Sequence, residues 1–233
     1  MLHQALLLAG LILASYLLRR HSPRVYDAII LHMTSLWYST VIDALPEGSK
    51  VLDVGMGTGT SLLSCRKEIE EKHLRITGVD FTEVYVQAAT AKFKEAGADA
   101  FLSCKYGSVY DEELLASLAP RSLFDAVYFS GSIALLPDPA AALRGACKVL
   151  KKGGAVYVTQ TFQHLSFPGL SVIKPCVKYI TTIDFGELVM EKDILRVYAS
   201  VAEELELVRH EKIEGSVDNA LQKAYVSVLR KIR

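Results

Sequence analysis

Residues 51–60 read VLDVGMGTGT. Val51, Leu52 and Val54 form a short apolar, partly β-branched run, the pattern of a buried strand. Gly55, Gly57 and Gly59 then alternate with Met56 and Thr58. Glycines at that spacing make a tight turn and let backbone N–H groups come close to a ligand. Residues 61–72 carry a helical pattern, so the loop opens a helix. A strand, a glycine loop and a helix in that order make a nucleotide-binding geometry, with the helix N-terminus favouring negative charge. The spacing, however, is G-x-G-x-G and not the G-x-G-x-x-G of dinucleotide sites. Asp53 also lies inside the strand, two residues before the first glycine. A carboxylate there repels a pyrophosphate and suits a cationic ligand. The competing reading is a purely structural glycine turn, which the rest of the chain has to decide.

Downstream, residues 75–80 (RITGVD) read as a second strand that ends in an acid. Asp80 follows the last glycine by about twenty residues, where an acid accepts hydrogen bonds from two ribose hydroxyls. Its other reading is a turn or N-cap residue for the helix starting near Glu83. Residues 83–95 form that helix, and Gly97 ends it. A third strand, 100–106, runs into Gly107-Ser108-Val109. A fourth strand, 124–130 (FDAVYFS), precedes a helix at 140–150. Leu150-Lys151-Lys152-Gly153-Gly154 turns into a fifth strand, 155–160. Residues 163–189 show no clean period and contain His164, Phe167, Pro168, Pro175, Tyr179 and Phe185. Ligands of open α/β sheets bind near strand C-termini, so this segment reads as a lid or substrate wall. A helix at 193–204 follows, then alternating strands at 206–213 and 225–229 joined by a loop of about ten residues.

Residues 51–60 resemble motif I of the class I S-adenosylmethionine (SAM)-dependent methyltransferases. About 70 residues further on, the run FDAVYFS…LLPDP…VLKKGG is similar to the corresponding part of the small-molecule members of that family. The resemblance implies an α/β, Rossmann-like fold. Its sheet is mostly parallel and seven-stranded, with a C-terminal antiparallel hairpin. It implies SAM as cofactor, a ligand with an ammonium and a sulfonium but no phosphate. The cofactor-binding residues it implies are Asp53, Gly55, Gly57, Gly59, Asp80, Phe81, Ser108, Val109 and Ser130. Ser108 stands where the family often has an Asp that bonds the adenine amino group. His164, just past the fifth strand, is the candidate general base, with Tyr179 and Asp184 as weaker candidates. The fourth strand ends in Ser130-Gly131-Ser132 and not in N-P-P or D-P-P followed by an aromatic. The Asp-Asn ligands of metal-dependent catechol methyltransferases are missing too. Methylation of nucleic-acid amino groups and metal-assisted methylation are thereby demoted, and no metal site is expected.

Upstream, Tyr26, Ile29, Ile30, Met33, Leu36, Trp37 and Val41 recur at helical spacing. In the family such a helix caps the cofactor pocket, which makes Tyr26, His32, Trp37 and Tyr38 possible pocket residues. Packing of an amphipathic helix on the sheet is the alternative. Residues 2–18 are nearly all apolar and are followed at once by Arg19, Arg20, His21 and Arg24. As a helix they span about 25 Å, slightly under a bilayer core. The charge lies on the wrong side for a cleavable signal peptide, and no A-x-A follows. We therefore expect residues 1–20 to be a single-pass membrane anchor, with the methyltransferase domain, 22–233, facing the cytosol. A core helix or an interfacial helix is the alternative.

The chain has 233 residues, half of them hydrophobic, which suits one domain plus a short extension. Its 26 basic and 26 acidic residues give a formal net charge of zero and no basic block, so a nucleic-acid partner is not expected. Cys65, Cys104, Cys147 and Cys176 are widely spaced, as reduced thiols in a cytosolic environment are. The N-terminal anchor looks like that of the membrane-bound thiol methyltransferases, and the central motifs look equally like the quinone-biosynthesis C-methyltransferases. Three functions stay open. One is methyl transfer to an apolar small molecule or lipid at a membrane surface. The second is methylation of membrane-associated proteins. The third is a non-catalytic tethered interaction module.

Overall fold

Seven strands, the central ones buried on both faces, build one sheet: β1 (Lys50–Val54), β2 (Arg75–Asp80), β3 (Leu102–Tyr106), β4 (Phe124–Ser130), β5 (Leu150–Gln163), β6 (Leu205–Lys212) and β7 (Gln222–Lys231). The structure is a computed structural model and describes residues 22–119, 122–163, 190–219 and 222–233. In space the strands run β3-β2-β1-β4-β5-β7-β6. β1 to β5 are parallel, and β7 lies antiparallel between β5 and β6. The order reverses at β1, which pairs β2 on one side and β4 on the other. In open α/β sheets that reversal leaves a crevice at the strand C-termini.

Successive side chains of a strand point to opposite faces. Val51, Ala126, Tyr128 and Tyr157 face one layer, and Leu52, Val54, Val127, Phe129, Val156 and Val158 the other. The first layer holds α1 (Ser22–Ala44), α2 (Thr60–Leu63), α3 (Arg66–Glu71) and α4 (Glu83–Glu95). They contribute Trp37, Val41 and Ile42, then Leu62, Ile69 and Phe93. The second holds α5 (Glu112–Leu118), α6 (Pro139–Val149) and α7 (Glu191–Ser200), with Leu115, Leu143, Ala146, Ile194 and Tyr198. Each fully buried Ile, Leu or Phe is worth about 1.5–3 kcal/mol. Asp138 caps α6 by accepting from the Ala141 N–H at 2.9 Å, and Asp111 caps α5 from Leu114 at 3.0 Å.

The strands at 75–80 and 124–130 and the helix at 83–95 have the expected bounds. The single helix expected over 61–72 is two short ones. At the break the Cys65 N–H reaches back only three residues, to the Leu62 carbonyl. β5 begins five residues earlier than expected, because Leu150 already pairs with Phe124 and a register irregularity absorbs the two glycines. Helix α5 was not expected from the sequence. Ser22-Pro23 starts α1, as a proline in a first helical turn does. Among the described residues no helix is long and apolar enough to cross a membrane. The expected anchor within residues 1–20 lies outside the described residues, as do His164, Tyr179, Asp184 and Cys176.

Candidate functional site

The loop after β1 holds its shape through backbone that only glycine adopts readily. Gly55, Gly57 and Gly59 have φ of +78°, +64° and +69°. At Gly55 a Cβ is excluded twice over, because it would also lie 2.5 Å from the Ser132 Cβ. Ser132 is held there by donating to the Val54 carbonyl. At Gly59 a Cβ would meet the Phe93 ring at 2.6 Å. Thus the loop is pressed between the segment after β4 and helix α4.

Asp80 clasps this loop from β2. Its Oδ2 accepts from the Gly57 N–H at 2.9 Å, and its Oδ1 from the Thr82 N–H at 2.8 Å. The Gly55 N–H donates to the Val79 carbonyl at 2.8 Å, and the Gly107 N–H to the Asp80 carbonyl at 3.0 Å. One acid therefore ties together the ends of β1 and β2 and the first turn of α4. Each carboxylate oxygen keeps a lone pair after one such bond. Asp80 is 7% exposed, and burial raises its pKa against the pull of the two N–H groups.

Asp53 is wholly buried, on the sheet face covered by α1. Tyr38 of α1 donates its phenol proton to Asp53 Oδ2 at 2.7 Å. The Tyr38 ring stands edge-on to Tyr128 at 5.1 Å, and the Tyr128 hydroxyl lies 2.8 Å from Thr159 Oγ1. Asp53 Oδ1 has no hydrogen-bond partner among the described residues. Burial pushes the Asp53 carboxyl up to about 7; the Tyr38 bond opposes the rise and the Asp80 charge adds to it.

Two clefts flank the loop. The larger, about 770 Å³ out to its mouth, collects the C-terminal ends of β1 to β4. Val54, Gly55, Gly57, Val79, Asp80, Phe81, Ser108 and Val109 line it, together with Thr82, Tyr85, Gly107, Ser132, Leu135 and Leu136. Phe81 stands at its edge, 71% exposed. The Ser108 hydroxyl accepts from the Tyr110 N–H at 3.2 Å. The smaller cleft is polar and is lined by Thr34, Tyr38, Thr58, Thr60, Ser61 and Ser130, with Gly55, Met56 and Gly59. Ser130 is thus parted from the other expected residues by the loop itself, and Asp53 lies beneath both clefts and lines neither. Tyr38 reaches the site, while Trp37 is a core residue whose indole N–H donates to Ser216 Oγ at 2.9 Å. Tyr26 and His32 belong to α1, in a stretch whose side chains lie outside the description. Sequence reasoning missed Thr82, Tyr85, Ser132, Leu135 and Leu136. Ser132 carried a local signal, as a small residue beside Gly131 at the end of β4, and Leu135 and Leu136 open the LLPDP run, which resembles the family without being marked as part of the site.

Among the described residues no group of three or more His, Cys, Asp or Glu side chains is placed to hold a metal ion. Burial pushes the Cys65 and Cys147 thiols up to about 11 and the Cys104 thiol up to about 12, away from the thiolate form.

A glycine loop at the point of strand reversal, an acid ending β2 and an antiparallel β7 inserted before β6 together define the class I SAM-dependent methyltransferase fold. The chain belongs to the methyltransferase-domain family, which it matches over residues 45–218. SAM is the cofactor of that family. The phosphatidylethanolamine N-methyltransferase of Cereibacter sphaeroides is 25% identical over 136 residues, covering 58% of this chain and 62% of that protein. A ubiquinone biosynthesis O-methyltransferase of Idiomarina loihiensis is 36% identical over 110 residues, 47% of this chain and 41% of the relative. The chain thus spans less than two thirds of the length of either relative. In fold, a SAM-dependent methyltransferase from Aquifex aeolicus superposes with a TM-score of 0.64 at 15% identity, covering 90% of this chain and 98% of that one. The residues present suit such a cofactor. A buried carboxylate with an unpartnered oxygen favours a cationic ligand, and the loop has no room for side chains that would fill its cradle.

Proposed function

We propose that this protein transfers a methyl group from SAM to an apolar small molecule or a lipid at a membrane surface. The observation that carries the reading is the pairing of two buried acids, Asp53 and Asp80, with a largely apolar cleft at the strand reversal. Gly55, Gly57 and Gly59 would lay backbone against the cofactor. Asp80 would receive the ribose hydroxyls, and Asp53 would supply negative charge for the ammonium and sulfonium. Phe81, Ser108 and Val109 would flank the adenine, and Ser130 would face the methionine side of the loop. When bound, SAM brings both the methyl group and its own leaving group. The chain's task is then to orient the acceptor and exclude water. An acceptor that has to lose a proton needs a base, and His164 is the residue we assign to it.

The acceptor class draws support from three sides. The relatives named above act on a phospholipid and in the making of a quinone. Leu135 and Leu136 add hydrocarbon to the cleft wall. The apolar residues 2–18, read as an anchor with the domain on the cytosolic side, would hold the cleft where such acceptors are concentrated. The test is incubation of the full chain with methyl-labelled SAM and membrane lipid extract, quinone precursors, small thiols and protein. Label should enter the apolar organic phase. Label confined to protein or to polar metabolites would overturn the acceptor class, and SAM binding with no transfer to any of them would leave a non-catalytic module.

A further inference from the structure

We infer that Tyr38 is a positioning residue for the cofactor, holding Asp53 in its ionised form through the hydrogen bond it donates to Oδ2. The inference rests on the SAM-binding reading above and extends it to a residue seven positions before the family match begins, at residue 45. Three observations carry it. The phenol lies 2.7 Å from Asp53 Oδ2, with both side chains buried. The ring is fixed from the other side by its edge-on contact with Tyr128, itself 2.8 Å from Thr159. The other Asp53 oxygen, Oδ1, has no partner among the described residues, so the Tyr38 bond supports the carboxylate's charge, which acts on the clefts from beneath the loop.

The electrostatic setting gives that bond its purpose. The titratable groups around Asp53 are Tyr38 from α1, Asp80 from β2, Cys104 from β3 and Tyr128 from β4. Burial and the Asp80 charge both favour a protonated Asp53, and the Tyr38 bond opposes them. A protonated Asp53 keeps an acceptor oxygen but offers a cation no charge. Tyr38 therefore sets the pH above which the site carries its negative charge. The phenol acts through Asp53, not on the reacting atoms.

Tyr38→Phe keeps the ring and removes the donor. A charge-assisted hydrogen bond of ordinary strength holds the Asp53 midpoint down by about one pH unit. SAM affinity in the variant should then fall about tenfold at pH 6 and about fivefold at pH 7, and return to nearly that of the unmodified chain at pH 9. Taking the ratio at each pH cancels the titration of the ligand itself. Asp53→Asn should remove the Asp53 pH dependence with Tyr38 in place, and adding Tyr38→Phe to it should change affinity no further. Carboxyl carbon NMR of the ligand-free chain gives a second reading, with the Asp53 midpoint rising in Tyr38→Phe. An unchanged midpoint, a loss of affinity equal at every pH, or a pH dependence that survives Asp53→Asn would overturn the role of Tyr38. Absence of SAM binding by the unmodified chain would instead overturn the methyltransferase reading.

Discussion

Asp53 occupies a strand position where burial calls for hydrocarbon. Its carboxyl titrates near 3.8 in an open chain and at about 7 in the fold. Between those values the native chain holds a proton that the unfolded chain has released. The contribution of Asp53 to stability therefore falls as pH rises from about 4 to about 7, and stays low above that. A shift from 3.8 to about 7, at 1.36 kcal/mol per pH unit, is worth about 4 kcal/mol. Asp53→Asn still accepts from Tyr38 but does not titrate. Urea unfolding should show the variant gaining on the unmodified chain between pH 5 and pH 8, by about 3 kcal/mol, while SAM affinity drops. An advantage that does not grow with pH would contradict the burial argument. The cost of Asp53 is thus borne by the ligand-free fold and recovered when a cation binds.

At the scale of elements, α1 matters most. Trp37, Tyr38, Val41 and Ile42 sit in the core with 4% exposure or less, and Lys72 fastens the helix end through the Ile42 and Asp43 carbonyls at 2.8 Å. Four such side chains at about 1.5–3 kcal/mol each rival the whole stability of a domain. Deleting residues 1–20 leaves α1 intact and should preserve both the thermal transition and SAM affinity. Deleting residues 1–44 should abolish the cooperative transition seen by circular dichroism. A sharp transition in the shorter fragment would show that α1 is an accessory. The periodic spacing of α1 made it readable in the sequence, and so did the acid-ended β2 and the glycine stop after α4. Less readable were features set by partners distant in the chain. Glu112–Leu118 is too short for periodicity to speak, and only its Asp111 cap marks it. The early start of β5 depends on Phe124. The loop motif announced a ligand, but that Asp80 clasps Gly57, that Tyr38 reaches Asp53 and that Ser132 fills the space beside Gly55 are facts of three dimensions. No spacing rule links residues 15 to 77 positions apart.

For the whole molecule, the proposed attachment to a membrane has a distinctive test. Arg19, Arg20 and Arg24 would add only about 1 kcal/mol each at an anionic surface, so attachment that survives salt would rest on the apolar residues 2–18. The full chain should sediment with membranes, resist a high-salt wash and dissolve in detergent, and the chain lacking residues 1–20 should stay in the supernatant. Full-length protein recovered in the supernatant would refute the anchor.

The sheet order also bears on how the molecule is made. β6 finds its ladder among the described residues only with β7, and β7 also covers the outer edge of β5. Yet β7 follows both in the chain. As the nascent chain leaves the ribosome, β5 waits with a bare edge and β6 with no partner until β7 arrives to join them. Bare edges recruit other chains, and large folds are at risk during such delays. In β6 that interval is guarded by Glu206, Arg209, Glu211 and Lys212, exposed or nearly so, which make a poor template for a neighbouring polysome's product. In the finished sheet β6 keeps one open edge, and the same charges go on guarding it.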